Sequence, residues 1–399
     1  MATAARTPRF THPAARGTCP FAPPPAYQQA QREEPVSRIS LWDGSTSWLV
    51  TRHEDVKAVL SDPRFSADGT RPGFPFLTAG VRQLNTGQPT FIRMDDPEHA
   101  RLRRMLTGEF MIKKVEALRP RIQRIADDLL DRMTHSRTEA DLVHEFALPL
   151  PSLVICLLLG VPYQDHEFFQ ECSRVLLRRE SSVEEVATAQ HRLVDYLIRL
   201  TESKRTHPDD GILSRLVERG ELDTAEIGAM GRLLLIAGHE TTANMTALSV
   251  LALLRNPDQL DHLRRHPEAV TGAVEELLRY LTIVHSGLTR VATEDVDLGA
   301  VRIRAGEGVV CMISTANRDE DEFPAGDELD LTRDARRHLA FGFGVHQCLG
   351  QPLARLELQI ALDTLLRRLP ELRLAVPFED VRFRSDMLIY GVHELPVAW

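Results

Sequence analysis

The sequence has little lysine and cysteine, and it lacks long apolar runs. Only four of its 48 basic residues are lysine, an arginine bias typical of GC-rich bacterial genomes. No Cys-x-x-Cys pair occurs, which excludes a disulfide scaffold and a cysteine zinc site and favours a reducing cytoplasm. No stretch of about 20 apolar residues and no signal-peptide core are present, so we expect a soluble protein without a membrane anchor. The five cysteines are Cys19, Cys156, Cys172, Cys311 and Cys348.

What is present indicates a large acidic globular protein. The chain has 399 residues, 43% of them hydrophobic, which is enough for a sizeable core. Its formal net charge of -9 argues against general nucleic-acid binding. Because no internal repeat or long linker divides the sequence, we expect residues 1–399 to form a single domain and a monomer. Residues 1–30 are expected to be an extended, Pro-rich segment.

The periodicity of apolar residues predicts a mainly α fold with small β-sheets. From Pro97 onward, most apolar residues recur at 3.6-residue spacing, while residues 290–312 and 371–398 alternate as strands do. Residues 68–90 are rich in Gly, Pro and Thr and predict an irregular loop, either a functional lid or a plain surface loop. The other predicted elements are a hairpin over 39–50 turning at Asp43-Gly44, helices over 52–61, 115–133 and 141–159, and two helices within 165–206 separated near Ser181-Ser182.

The longest predicted helix begins after Asp223 and continues to about Arg255. Asp223 has the features of an N-cap, with Glu226 completing a capping box. The middle of this helix is apolar on most faces, which predicts that it is buried.

The hexapeptide Ala237-Gly238-His239-Glu240-Thr241-Thr242 interrupts that apolar helix with polar groups. Buried polar side chains are costly unless they are satisfied. A threonine hydroxyl can bond back to the carbonyl four residues earlier, which would be a purely structural use. In the functional alternative, Gly238 thins the helix wall beside a ligand, and an acid next to an alcohol delivers protons. A zinc-protease helix is excluded, because Ala243 stands where its second histidine would be.

A glycine-rich turn, Phe341-Gly342-Phe343-Gly344-Val345-His346-Gln347-Cys348-Leu349-Gly350, leads into a helix with Pro352 in its first turn. Cys348 therefore lies at a helix N-terminus, where unpaired N–H groups and the helix dipole are expected to lower a thiol pKa and favour a thiolate. A lone cysteine is more commonly a small buried apolar residue. A dinucleotide fingerprint is excluded because Gln347 occupies a required glycine position.

These segments resemble the cytochrome P450 family. Phe341, Gly344, Cys348 and Gly350 fill its haem-binding signature Phe-x-x-Gly-x-x-x-Cys-x-Gly, and the central hexapeptide matches its Ala/Gly-Gly-x-Asp/Glu-Thr-Thr motif. The resemblance, which covers about residues 19–399, implies the P450 fold, haem b, and Cys348 as the thiolate ligand of its iron. It also implies that Thr241 hydrogen-bonds dioxygen, that Glu240 supplies protons, and that the haem contacts Phe341, Gly342, Gly350, Ala237 and Gly238.

The resemblance assigns further residues to the haem and to its support. His99 and Arg103, four apart on one helix, would bind the haem propionates together with Arg290 and His346, since guanidinium groups suit carboxylates. Glu276 and Arg279 form the family's Glu-x-x-Arg pair, and Arg333 resembles the third member of that structural triad. The expected substrate-pocket residues are Leu234, Ala237, Gly238, Val284, Leu288 and Ile389, with additional contacts from residues 74–90 and 178–183.

By the same resemblance, we expect a cytoplasmic, actinobacterial-type monooxygenase. It would hydroxylate or epoxidise a hydrophobic small molecule, such as a secondary metabolite, steroid, terpenoid, macrolide or xenobiotic, using O2. No flavin or nicotinamide motif is found, so electrons are expected from a ferredoxin and its NAD(P)H-dependent reductase. Three alternatives remain open at this point: a P450-type nitric-oxide reductase, a peroxygenase and a non-catalytic haem sensor. The candidate ferredoxin-facing cations are Arg101, Arg104, Lys113, Lys114 and Arg355.

Overall fold

The computed structural model describes residues 7–85 and 90–399, and helices dominate it. The helices are α1 (Pro25–Glu33), α2 (His53–Ser61), α3 (Ala79–Leu84), α4 (Glu98–Thr107), α5 (Ile112–Glu116), α6 (Arg119–Thr134), α7 (Pro149–Leu159), α8 (His166–Leu177), α9 (Val183–Thr206), α10 (Ile212–Arg219), α11 (Thr224–Arg255), α12 (Pro257–Arg265), α13 (Val270–Leu281), α14 (Ile313–Ala316) and α15 (Gln351–Arg368). None of the described helices is both long enough and apolar enough to cross a membrane.

The strands are short and form small sheets beside the helices. Strands β1 and β2 form the predicted hairpin, with Gly44 at φ +80° in its turn, and β2 pairs in parallel with β8. The sheets have the strand orders β1-β2-β8-β5-β3, β4-β10-β9 and β6-β7. The strands are β1 (Val36–Ser40), β2 (Thr46–Val50), β3 (Phe65–Ser66), β4 (Glu139–Asp141), β5 (Leu288–Ala292), β6 (Val296–Leu298), β7 (Val301–Ile303), β8 (Gly308–Cys311), β9 (Arg373–Leu374) and β10 (Pro396–Ala398). The predicted mainly α class with small sheets is confirmed.

Helix α11 is the buried central helix, and its N-terminus matches the capping prediction. The Asp223 side chain accepts a hydrogen bond from the Glu226 N–H at 2.7 Å, and the Glu226 carboxylate accepts one from the Asp223 N–H at 3.0 Å. The helix has 32 residues, or roughly 48 Å at 1.5 Å per residue. It packs against α7 and α9, so its middle is enclosed by other helices.

Two helices predicted as continuous are broken at prolines. The helix expected over 115–133 is divided into α5 and α6 because Pro120 has no N–H to donate to the Glu116 carbonyl. The helix expected over 141–159 comprises the end of β4, a π turn over Val143–Ala147, and then α7, which begins at Pro149.

Two segments predicted as irregular contain helices. The extended N-terminal segment was expected to reach residue 30, but α1 begins at Pro25, where proline suits the first helical turn. The loop expected over 68–90 contains α3, capped by the Thr78 side chain, which accepts a hydrogen bond from the Val81 N–H at 3.0 Å. Residues 86–89 of that loop lie outside the described residues.

The C-terminal hairpin, residues 383–392, connects several elements. A bridge between Phe383 and Val392 closes it. The Leu388 N–H donates to the Leu177 carbonyl at the end of α8 at 2.8 Å, and the Tyr390 N–H donates to the Ile283 carbonyl after α13 at 2.9 Å. The hairpin thereby fixes the segment between α8 and α9 relative to the loop that follows α13.

Candidate functional site

A cavity of about 310 Å³ lies between α11 and the glycine-rich turn over residues 341–350, called the cysteine loop below. Its volume is within the range of small-molecule sites. Most residues assigned by sequence to the haem or the substrate line this cavity. They are Arg103, Leu234, Ala237, Gly238, Thr241, Val284, Leu288, Arg290, Phe341, Gly342, His346, Cys348 and Gly350.

The cysteine loop is held by its own backbone and by two left-handed glycines. The Cys348 N–H donates to the Phe341 carbonyl at 2.9 Å, which closes the loop at its base. Gly342 and Gly344 have φ of +70° and +71°, a region that other residues rarely adopt. A Cβ at Gly344 would lie 2.3 Å from the Leu60 carbonyl oxygen, so the loop packs directly on the end of α2. This packing fixes Cys348 at the start of α15, facing the cavity.

The thiol of Cys348 departs from one sequence-based expectation. Burial raises its pKa, and this outweighs the opposing effects of the Gly350 and Gln351 N–H groups and of Arg103 and Arg355. The donors are placed as the helix N-terminus predicts, but the prediction that they lower the thiol pKa overall is wrong. Desolvation of the charged form is the larger effect here. Cys348 is exposed to the cavity, where a bound metal ion would stabilise the thiolate.

A cluster of cationic and imidazole side chains borders the same cavity. The rings of His99 and His346 are 4.1 Å apart, and Arg103 Nη2 donates to the Gln347 carbonyl at 2.6 Å. Burial, followed by the charge of Arg290, lowers the pKa of His346 to about 3. Among the described residues, no carboxylate lies within ion-pair distance of Arg103 or Arg290. Guanidinium groups that face a cavity and lack a carboxylate partner mark a site for anions.

This donor set fits haem. The two propionates of a haem would supply the negative charge that the cluster lacks, and the buried His99 Nε2, which has no hydrogen-bond partner in the described chain, could donate to one of them. The other ring nitrogen of His99 faces Asp96 at 2.9 Å, which orients the imidazole. Cys348, which lines the same cavity, presents a soft sulfur ligand of the kind that binds haem iron.

Within the polar hexapeptide of α11, the acid Glu240 and the alcohol Thr241 have different surroundings. Thr241 lines the cavity and donates back to the Ala237 carbonyl at 2.6 Å. Glu240 is buried but does not line the cavity, because it lies on a neighbouring face of the helix. Its carboxylate accepts hydrogen bonds from Arg384 and Asn244. A Cβ at Gly238 would lie 2.9 Å from Ile155, so α11 and α7 pack closely beside the cavity.

Five of the six expected pocket residues line the cavity, and the lining described here does not include Ile389. Ile389 is half-buried at the tip of the C-terminal hairpin, between the two residues whose N–H groups bond to Leu177 and Ile283. The expectation for Ile389 rested on the family resemblance. The hairpin's backbone hydrogen bonds set where that side chain lies.

The Glu276, Arg279 and Arg333 side chains meet in the interior. Arg279 donates to both carboxylate oxygens of Glu276, at 2.7 and 2.8 Å, and both side chains are fully buried. Arg333 Nε lies 3.4 Å from Glu276 Oε1, and its other nitrogens donate to the carbonyls of Pro324 and Ala325. The group therefore joins α13 to the chain that precedes the cysteine loop.

The five cations expected to face a ferredoxin differ in their pairing. Arg101 is paired with Glu98 and Glu226, Lys114 with Glu109, and Arg355 with Glu275. Arg104 and Lys113 are exposed, and no carboxylate of the described chain lies within ion-pair distance of either. Three of the five charges are thus largely compensated within the protein.

Sequence reasoning missed three charged residues near the site, of which Glu357 is buried and Arg93 and Arg384 are half-buried. Arg93 donates to Thr289 Oγ1 at 3.0 Å, and burial together with Arg290 lowers its pKa to about 10. Glu357 lines the cavity from α15, and burial raises its pKa well above the ordinary value. Arg384 binds Glu240. The available signal for Glu357 was an acid within the apolar run of α15, whereas Arg93 and Arg384 carry no local pattern.

Comparisons with known proteins identify the family and the fold of this chain. The Cytochrome P450 family model matches residues 25–204 and 168–372. Cytochrome P450-SU2 of Streptomyces griseolus is 70% identical over 403 residues, covering all of both chains. Pentalenic acid synthase of Streptomyces avermitilis is 51% identical, covering 96% of each chain. The crystal structure of GfsF is 48% identical with a TM-score of 0.92, covering 98% of this chain and all of the other, which confirms the expected fold.

A family model across most of the sequence and near relatives over its full length, several of them named as P450 enzymes, show that this chain belongs to the cytochrome P450 family and is a P450 monooxygenase.

Proposed function

We propose that the protein binds haem b, with the Cys348 sulfur as the iron ligand, and inserts one oxygen atom of O2 into a largely hydrophobic small molecule. The observation that carries this proposal is the placement of Cys348 and the cationic cluster around one cavity. When bound, the haem supplies oxygen activation, which no protein side chain can perform. Arg103, Arg290, His99 and His346 would hold its propionates, with Arg93 adding charge behind Arg290.

The chain's own contribution is to orient the substrate and to supply protons. Thr241, at the cavity wall, can donate a hydrogen bond to a reacting oxygen when its hydroxyl rotates away from the Ala237 carbonyl. Glu240, on the adjacent face of α11, can exchange protons with that hydroxyl through water. The resemblance to the family's acid–alcohol motif supports these two roles.

The substrate is proposed to be apolar and uncharged where it meets α11. The cavity wall on that side consists of Ile155, Leu233, Leu234, Ile283, Val284 and Leu288, and its polar groups are threonine hydroxyls. An uncompensated charge would be costly there. Relatives named for pentalenic acid synthesis and for 20-oxo-5-O-mycaminosyltylactone oxidation fit a secondary metabolite of the terpenoid or macrolide class.

We further propose that electrons come from a ferredoxin and its NAD(P)H-dependent reductase, and that the exposed Arg104 and Lys113 attract this acidic partner. The protein is proposed to act as a single-domain monomer in the cytoplasm, a compartment that its sparse free cysteines suit.

The first test is the spectrum of the reduced, carbon monoxide-treated protein. Wild-type protein should show the long-wavelength Soret band of a thiolate-ligated haem, and Cys348→His should move that band to the position of imidazole-ligated haems. A wild-type spectrum of the imidazole type would contradict the proposal. With ferredoxin, reductase, NADPH and O2, a monooxygenase forms an oxygenated product, whereas a sensor forms none and a peroxygenase forms product with peroxide alone. Soret shifts across a compound library would identify the substrate.

A further inference from the structure

The C-terminal hairpin supplies a charged partner to the acid of the central helix. Arg384 Nη1 donates to Glu240 Oε2 at 2.9 Å and lies 3.1 Å from Asn244 Oδ1. Asn244 Nδ2 lies 3.3 Å from the same Glu240 oxygen and 2.6 Å from the Glu240 carbonyl. Arg384 and Asn244 therefore hold one oxygen of the carboxylate from two sides.

The other carboxylate oxygen is free of these contacts. Within residues 7–85 and 90–399, every hydrogen bond to the Glu240 carboxylate ends on Oε2. Oε1 can therefore exchange a proton with water, and through water with the Thr241 hydroxyl, while Oε2 stays anchored. An acid–base group must be held in position in this way to act efficiently.

Arg384 itself is fixed by the backbone of the hairpin. Its N–H donates to the Gly391 carbonyl at 2.8 Å. Gly391 packs so closely on Asn244 that a Cβ there would lie 1.8 Å from Asn244 Oδ1. The glycine allows the hairpin to approach α11 closely enough for the arginine to reach Glu240.

We propose that Arg384 is a positioning residue for the oxygenation reaction, which holds the Glu240 carboxylate in the orientation from which it can pass protons toward Thr241. The reaction consumes O2, two electrons and two protons and releases water, so a slow proton supply leaves reduced oxygen to escape as hydrogen peroxide. The inference rests on the proposed roles of Glu240 and Thr241. The same hairpin also hydrogen-bonds to Leu177 at the end of α8 and to Ile283 after α13. A displacement of either of these two segments is therefore expected to move Arg384 and so to disturb the Glu240 carboxylate.

The test compares two oxidants in holoenzyme variants, with 7-ethoxycoumarin as the probe and O-deethylation as the readout. One arm uses spinach ferredoxin, ferredoxin reductase, NADPH and O2, and the other uses hydrogen peroxide, which brings its own protons. In Arg384→Gln, the NADPH-driven product per NADPH should fall about tenfold, less than the ~100-fold that loss of the acid itself can cost. The peroxide-driven rate should stay within about twofold of wild type, since only the proton route is affected.

Two variants serve as controls. Arg384→Lys keeps the charge and should recover most of the coupling. Arg382→Gln removes a charge immediately before the hairpin, at an exposed pair with Glu394, and should behave as wild type. The probe's Soret-shift dissociation constant should be unchanged in Arg384→Gln, which separates a proton defect from a damaged pocket.

Equal losses with both oxidants, or wild-type coupling in Arg384→Gln, would overturn the proposal while leaving the monooxygenase function intact. If Arg384→Gln does not retain haem, the test is made on Arg384→Lys instead. A wild-type ratio of hydrogen peroxide to NADPH in Arg384→Lys supports the proposal, and a loss of coupling in that variant contradicts it. Wild-type protein that converts the probe with neither oxidant would count against both the proposed function and the role of Arg384.

Discussion

Thr241 and Thr246 lie on the same helix and make the same local contact, in which the hydroxyl donates to the carbonyl four residues earlier, at 2.6 and 2.9 Å. Their surroundings differ, because Thr241 borders the cavity and Thr246 is enclosed in the core. At the residue scale, the local hydrogen bond therefore cannot distinguish a structural threonine from a functional one. Only the exposure of Thr241 to the cavity does.

We expect Thr241→Ala to uncouple the reaction. Product per NADPH should fall about tenfold with a matching rise in hydrogen peroxide, because the hydroxyl that passes protons is lost. The measurement is product, NADPH and peroxide in the same reconstituted assay. Thr246→Ala, which removes a similar back-bonded hydroxyl, should keep the wild-type ratio, and equal uncoupling in both variants would show that helix distortion is responsible.

At the scale of elements, the cysteine loop depends on contact with a distant helix end. Gly344 adopts φ +71° and packs on the Leu60 carbonyl, so both its backbone conformation and the surrounding space require glycine. Gly306 also has a positive φ, +80°, but a Cβ there would meet nothing within 4 Å. Comparing an alanine substitution at each of the two glycines therefore distinguishes the effect of backbone strain from the effect of lost packing space.

Gly306→Ala should reduce the free energy of unfolding by about 1–2 kcal/mol, the cost of a left-handed alanine. Gly344→Ala should cost more than this, and it should also speed the loss of haem, because the loop must move off α2. Urea unfolding gives the first quantity, and transfer of haem to apomyoglobin gives the second. Equal effects of the two substitutions would contradict the packing role of Gly344.

At the scale of the whole molecule, Glu275 joins three segments that are distant in sequence. It lies on α13, accepts hydrogen bonds from Arg355 of α15 at 2.7 and 3.0 Å, and faces His338 Nε2 at 3.2 Å. Burial raises the pKa of its carboxyl, but hydrogen bonds and charge from His338 and Arg355 outweigh this and lower the pKa from its ordinary value of 4.5 to about 2. These contacts hold the chain on both sides of the cysteine loop, at His338 and at Arg355, against α13.

The lowered pKa of Glu275 predicts that the free energy of unfolding depends on pH. Since the folded pKa lies below the unfolded value, the pairing stabilises the protein fully above about pH 4.5, and this contribution is lost as the pH falls toward about 2. Glu275→Gln should therefore unfold more easily at pH 7 and show a shallower decline between pH 5 and 3. Urea unfolding at each pH measures this. The exposed Glu371→Gln should follow the wild-type curve, and an unchanged slope in Glu275→Gln would refute the assignment.

Features encoded by residues three or four apart could be predicted from the sequence. The capping box of Asp223 and Glu226, the position of Cys348 before α15 and the Glu276–Arg279 pair are all local, so the helix itself brings the groups together. Helix breaks at Pro120 and Pro149 were missed because the apolar periodicity continues across them, although a proline deprives the helix of a hydrogen bond.

The tertiary structure alone decided what surrounds those groups. Arg384 and Glu240 are separated by 144 residues and meet because the C-terminal hairpin packs on α11. Arg93 lies beside Arg290 because the 3-10 turn over Phe91–Arg93 packs on β5, and burial reverses the expected pKa shift of Cys348. Desolvation and long-range pairing depend on how elements pack, so they have no signature in a single stretch of sequence. The sequence motif identifies Cys348 as the candidate ligand, and the tertiary structure sets the burial, hydrogen bonds and charges around its sulfur.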